Sequence, residues 1–315
     1  MVRRLLAAAL AAAALLLQGC AGTPAAPAAT ATQSASLDPT PRIAIVSAFQ
    51  PELVLLRSRL AQPRVHQANG VEFATGTLQG KPVVLFLSGV SMVNAAMNTQ
   101  LALDRFRVTH LVVSGIAGGV NPQLHVGDVT VAQRWGQYME VLAAREVAPG
   151  RFQPPPFMKD ATIPPYGIFH PRPVEVRSAA KPEVERRFWF DTDPAMLAVA
   201  RQLQGVALER CDAERRCLTR TPRVVPGGNG VSGQAFVDNA AYREYTFRTF
   251  EANVLDMETA AIAHVAHANG VPFIAFRSLS DLAGGGEGEN EMGTFFRIAA
   301  DNSARVLLAF LAAWK

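Results

Sequence analysis

Residues 256–281 read DMETAAIAHVAHANGVPFIAFRSLSD, and the change of period inside this stretch decides the fold. Small and apolar residues run at helical spacing up to Asn269-Gly270, a pair that closes helices because it tolerates the left-handed conformation. From Val271 the chain is apolar almost without a break to Phe276, the pattern of a buried strand. A helix handing over directly to a buried strand is one unit of an α/β sheet. The same alternation extends outward. RIAIVSAF (42–49) predicts a strand and PELVLLRSRL (51–60) a helix with Pro51 at its start. VEFATGTLQGKPVVLFLSG (71–89) predicts a hairpin turning at Gln79-Gly80, and SMVNAAMNTQLALDRF (91–106) an amphipathic helix. THLVVSGIAGG (109–119) reads as a strand breaking into glycines, VGDVTVAQRW (126–135) as another strand, and RIAADNSARVLLAFLAAW (297–314) as a C-terminal amphipathic helix. Residues 136–195 are proline-rich and predict an irregular insertion. The expected fold class is therefore α/β, a single-domain three-layer α/β/α sandwich.

The chain has 315 residues, 49% of them hydrophobic and 18% charged, enough to bury a large core in one domain. Its first residues, MVRRLLAAALAAAALLLQGC, carry two arginines and then an apolar run from Leu5 to Leu17. That run predicts an export signal over residues 1–19, too short for a spanning helix. LQGC resembles a bacterial lipobox, which would make Cys20 a lipidated residue anchoring an exported lipoprotein to a membrane, facing the periplasm or the cell exterior. Residues 20–41, rich in Ala, Pro, Thr and Ser, predict a disordered tether, and residues 42–315 the folded domain. Without Arg3 and Arg4 the 30 basic residues become 28 against 26 acidic ones. A charge near +2 is too balanced to argue for nucleic acid as a partner. In an oxidising compartment Cys211 and Cys217, in ERCDAERRC, are close enough to pair; a metal site is the weaker alternative, since no histidine stands nearby at ligand spacing.

In sheets of this kind ligands bind beyond the carboxyl ends of the strands. Glu52 follows the first strand, Ile116, Ala117 and Gly118 end a central one, and Asp281 ends the last, ahead of Gly284, Gly285 and Gly286. Each alone has an ordinary explanation. Glu52 suits the first turn of a helix, Asp281 suits a cap or turn, and glycine-rich turns serve plain connections. His264 and His267, on a helix, read as structural.

Taken in order, AIVSAFQPELVLLRSRL, SGVSMVNAA, VVSGIAGGVNPQLHVGDVTVA, VSGQAFVDN, LDMETAAIAHVAHANGVPFIAFRSLSD and AADNSARVLL resemble the nucleoside phosphorylase/nucleosidase superfamily. Within it they are most similar to the 5′-methylthioadenosine/S-adenosylhomocysteine nucleosidases. The middle segments YGIFHPRPVEVR, FWFDTDP and VDNAAYREY look more like the exported plant bark storage proteins. The resemblance implies a mixed, partly barrel-like central sheet, a purine nucleoside as small-molecule partner, no cofactor and no metal, and a homodimer. It assigns Glu52 as the water-activating base and Asp281 as the acid that meets the purine, the two-carboxylate logic of inverting glycoside hydrolysis. Asp281 would need a raised pKa to hold its proton, with Ser280 orienting it. It makes Glu258 the ribose ligand with Met257 packed on the sugar, and Phe236 and Val237 the base-stacking and base-meeting pair. Phe49 and Val90 would line the 5′ side, and Arg277 would help hold the attacking water.

Two departures bear on the reaction. The related nucleosidases usually have serine where Ile116 stands, and hexameric phosphorylases have arginine where Val113 stands. Both changes remove phosphate ligands. The resulting expectation is an exported purine nucleosidase acting on adenine nucleosides, with a phosphorylase or a non-catalytic storage-like protein as alternatives.

Overall fold

The computed structural model describes residues 36–158, 162–286 and 288–315. Cys20, the export signal and most of the tether lie outside them. Strand β1 (Asp38–Ser47) starts earlier than the expected boundary at residue 42, because Asp38 already pairs with Phe106. Helix α1 (Gln50–Ser58) follows, with Pro51 in its first turn and the Glu52 carboxylate accepting from the Phe49 backbone that precedes it. Strands β2 (Ala61–Ala68), β3 (Val71–Leu78) and β4 (Lys81–Leu87) form a meander. Gln79 and Gly80 both have positive φ, 49° and 74°, as a tight two-residue hairpin turn requires. The meander's first strand lacks a clear apolar alternation, but Asn69-Gly70 marks its turn.

Helix α2 (Met92–Arg105) leads into β5 (Phe106–Gly119), which does not break at its glycines. It runs on because Gly118 and Gly119 pair with a later strand. Strands β6 (Val129–Val131) and β7 (Arg134–Gly136) replace the single strand expected over residues 126–135, since each takes different neighbours. The insertion is also less irregular than expected. It holds β8 (Val141–Ala143), β9 (Arg145–Ala148), β10 (Arg151–Gln153), β11 (Phe169–Pro171), β12 (Val174–Ser178), β13 (Lys181–Arg187) and β14 (Trp189–Asp191). Six of these form antiparallel pairs of their own, and β14 joins β7. Helix α3 (Pro194–Ala200), capped by Asp193, precedes β15 (Val224–Pro226), β16 (Asn229–Ser232), α4 (Ala240–Phe250) and β17 (Ala252–Asp256). The chain ends with α5 (Thr259–Asn269), β18 (Phe273–Asp281) and α6 (Met292–Ala313), the last beginning a turn before Arg297. Cys211 and Cys217 are disulfide-bonded in the loop after α3.

Twelve strands make one mixed sheet, ordered β14-β7-β16-β17-β5-β1-β4-β3-β2, with β18, β6 and β15 branching from it. The branch arises at β5, which is parallel to β1 on one side and to β18 on the other, then turns its glycine end to β17. Alternate residues of the central strands feed two cores. Ala44, Val46, Leu111, Val113 and Phe273 pack toward α2 and α5, while Ile43, Ile45, Val112, Ile274 and Phe276 pack toward α1, α3 and α6. This is the three-layer sandwich, with the sheet curling where β5 changes partners. Among the described residues, no helix is long and apolar enough to cross a membrane.

Candidate active site

The carboxyl ends of β1, β5, β17 and β18 meet around a cavity of about 220 Å³. Its lining includes Phe49, Glu52, Val90, Ile116, Ala117, Gly118, Phe236, Val237, Met257, Glu258, Ser280 and Asp281, so the structure gathers nearly all the expected site residues in one place. Met292 and Asp256 line it as well. The exception is Arg277. Expected to help hold the attacking water, it is buried beneath the cavity and is absent from the lining. Its position in β18 aims the guanidinium at the acids of neighbouring elements rather than at the open space.

Glu52 is held from two sides. One carboxylate oxygen accepts from Ala48 N at 2.6 Å and Phe49 N at 3.3 Å, and the other from Ile116 N at 2.7 Å. The contact with residue 116 runs through the backbone, so isoleucine supplies it as well as serine would. The Ile116 side chain instead packs with Phe49, Met292, Phe296, Ala299 and Ala300. Burial raises the Glu52 pKa, opposed by Arg277, whose Nη1 is 3.6 Å away, and by the three N–H groups.

Asp281 ends β18. Its Oδ1 accepts from Ala283 N at 2.8 Å, and its Oδ2 accepts from Ser280 Oγ at 2.8 Å. Burial raises its pKa despite those hydrogen bonds, and Asp238 adds to the rise. A carboxyl in this state can keep a proton when a water-soluble aspartate has lost it. Gly118 gives it room: a Cβ there would stand 3.3 Å from Asp281 Oδ1.

Glu258 precedes α5. Its Oε1 accepts from Ser91 N at 2.8 Å and its Oε2 from Arg277 Nη2 at 3.2 Å. Burial pushes its pKa up to about 7, with Arg277 pulling it down and Asp256 and Glu52 pushing it further up. Arg277 also donates through Nε to Thr259 Oγ1 at 2.9 Å, and the same nitrogen ion-pairs with Asp256 Oδ2 at 2.7 Å. Asp256 carried no assignment from sequence, although it opens the stretch that decides the fold. Its signal was present: an acid at the end of an apolar strand, two residues before Glu258.

Outside the cavity, His264 stacks on Phe190 at 4.8 Å and His267 meets Glu185 at 2.9 Å, so both are structural. Among the described residues no cluster of His, Cys, Asp and Glu is placed to hold a metal ion. None of the lining residues is a lysine, arginine or histidine. The site therefore offers four carboxyl groups, an apolar wall and backbone polar groups, with one buried guanidinium already engaged. That arrangement can protonate a base, deprotonate a water and accept from sugar hydroxyls.

Known proteins share this chain's sequence pattern and fold. The family profile described as the Phosphorylase superfamily matches residues 42–312. A 5′-methylthioadenosine/S-adenosylhomocysteine nucleosidase of Halalkalibacterium halodurans is 31% identical over 273 residues, covering 86% of this chain and 97% of that relative. The nucleosidase of the same description from Geobacillus thermodenitrificans is 30% identical over 271 residues, covering 86% and 96%. The crystal structure of the Streptococcus pneumoniae MTA/SAH nucleosidase in complex with 8-aminoadenine superposes with a TM-score of 0.63 at 26% identity, over 86% of this chain and 99% of that one.

Proposed function

The chain belongs to the phosphorylase superfamily, and on that premise we propose that it is a nucleosidase hydrolysing the N-glycosidic bond of adenine nucleosides such as 5′-methylthioadenosine, S-adenosylhomocysteine or adenosine. One observation carries this reading: Glu52, Glu258 and Asp281 converge on a single cavity whose lining holds no cation for phosphate. Val113, where a phosphorylase would place its arginine, is buried in the apolar core.

The reaction follows from the residues. Asp281 gives its proton to N7 of the leaving adenine, so the base departs neutral with the electrons of the C1′–N9 bond. Glu52 takes a proton from water as the water oxygen bonds to C1′. A carboxylate with a raised pKa is the stronger base for that step. Glu258 accepts from the ribose hydroxyls, and the negative charge on the Glu52–Glu258 side of the cavity favours the cationic sugar of the transition state. Phe236 stacks on the purine, and Phe49, Val90 and Met292 offer an apolar berth for a 5′-thioether. Relatives described as nucleosidases for methylthioadenosine and S-adenosylhomocysteine support this substrate class.

The proposal extends to placement and assembly. Lipidation of Cys20 after removal of residues 1–19 would hold the domain outside the cytoplasm, supported by the disulfide between Cys211 and Cys217; palmitate labelling lost in Cys20→Ser tests it. Exposed Val93 and Met97 on α2, with Val90 and Phe236 at the cavity mouth, support a homodimer, which light scattering reads directly. The central experiment incubates the purified protein with adenine nucleosides with and without phosphate. Free sugar and adenine are expected in both, and Glu52→Gln should lower turnover at least about a hundredfold. Product appearing only with phosphate, as a sugar phosphate, would overturn hydrolysis.

A further inference from the structure

Beneath the cavity a single buried cation faces three buried carboxyl groups. Arg277 reaches Asp256 through Nε at 2.7 Å, Glu258 through Nη2 at 3.2 Å and Glu52 through Nη1 at 3.6 Å. These partners come from β17, the start of α5 and α1, and no other charged side chain faces the group among the described residues. α2 contributes only the Ser91 N–H that precedes it, and β5 the N–H and carbonyl of Ile116. α6 turns Ala299, Ala300 and Phe296 toward the Ile116 side, and the nearby Tyr138 phenol stays neutral because burial, Tyr242 and Asp256 push its ionisation up.

The carboxyl groups are not equivalent. Asp256 is the most fully served: it accepts from Ser232 Oγ, Thr259 Oγ1, Glu258 N at 3.2 Å and Thr259 N at 3.2 Å, and it ion-pairs with Arg277 Nε. Its Oδ2 also stands nearest the guanidinium of the three, so it takes the largest share of that charge. Two further ionised carboxylates against an already neutralised cation would be costly at this depth. We propose that Asp256 is a positioning residue that fixes the Arg277 guanidinium and takes up its charge, leaving Glu52 and Glu258 to hold one proton between them. The pair then titrates as a unit rather than as two independent acids. The shared proton lets Glu52 lose its charge to Glu258, and regain it, without a net change in the buried charge. The consequence for turnover rests on the nucleosidase reading; the proton count does not.

The experiment is an NMR titration of the full domain carrying carboxyl-labelled glutamate, with Glu52 and Glu258 assigned from Glu52→Gln and Glu258→Gln. In the wild type both resonances should move together near neutral pH. In Asp256→Asn the Arg277 charge falls wholly on the pair, so its midpoint should drop by about one unit or more, and the acid limb of kcat/KM should drop with it. Asp256→Glu, which restores the charge, should return the midpoint toward the wild-type value even where turnover stays low. A folded Asp256→Asn protein with the wild-type midpoint would overturn the proposal, as a merely structural Asp256 would lower activity alone. If Asp256→Asn does not fold, Asp256→Ser makes the same comparison. Wild-type resonances that both remain ionised down to about pH 5 would overturn it without any variant.

Discussion

Gly115 tests whether the Glu52–Arg277 geometry governs the reaction. It lies on β5 directly opposite Arg277 of β18. Its φ is outside the left-handed region, so Gly115→Ala probes space alone. The added Cβ would stand 2.8 Å from Glu52 Cδ and would also meet Glu52 Oε1 and Arg277 Nη1. Ordinary contact begins at 3.4 Å, so Glu52 Cδ must retreat at least about 0.6 Å (3.4 minus 2.8), and the closer Glu52 Oε1 and Arg277 Nη1 further still. Neither neighbour is a free side-chain end. Glu52 is pinned by three N–H groups, and Arg277 by Asp256, Glu258 and Thr259. Overpacking of this kind costs about 1–3 kcal/mol of stability. A catalytic group misplaced by about 1 Å loses about a hundredfold in rate, so a shift of this order should lower kcat roughly tenfold to a hundredfold. KM should change little, because Asp281, Phe236 and Val237 lie on other elements. Adenine release measured over a range of substrate concentrations, beside a thermal melt, separates the two effects. A variant with a lowered melting temperature but kcat within about twofold of wild type would refute the reasoning, since rate should then not depend on this geometry.

Asp281→Asn should remove most turnover, at least about a hundredfold, while calorimetry still detects adenine binding; full activity would remove the acid role from Asp281. Glu258 carries a pH signature in stability. Its pKa rises from 4.5 to about 7 on folding, so its contribution is complete below about 4.5 and is lost as the pH rises through about 7. The melting temperature of Glu258→Gln should therefore gain on that of the wild type across this window, and parallel curves would refute the shift. Alkylation without reductant should leave Cys211 and Cys217 unmodified in protein recovered from an oxidising compartment. Replacing both with serine should cost up to about 2 kcal/mol through the opened short loop; two free thiols, or no loss of stability, would count against the pairing.

What the sequence determined by itself was local. Helix and strand periods along residues 256–281, the positive-φ turn at Gln79-Gly80 and the Asn269-Gly270 helix end depend on neighbours a few residues apart, so they are legible in a single chain. The ordered motifs also carried Glu52, Glu258 and Asp281, because each sits at the end of a recognisable strand or the start of a helix. What only the tertiary structure decided was partnership. Nothing in THLVVSGIAGG says that its glycines continue as a strand, because the reason is a distant β17 that pairs with Gly118 and Gly119. Short insertion strands were hidden because their proline-rich, exposed residues have no apolar period to betray them. The burial of Arg277 beneath the cavity was hidden for the same reason that Asp256 was overlooked. A guanidinium's role depends on which carboxylates surround it, and Glu52 reaches it from across the chain while Asp256 and Glu258 reach it from the neighbouring strand and helix. Residue types can be read one at a time, but a buried charge balance exists only once the sheet has brought its members together.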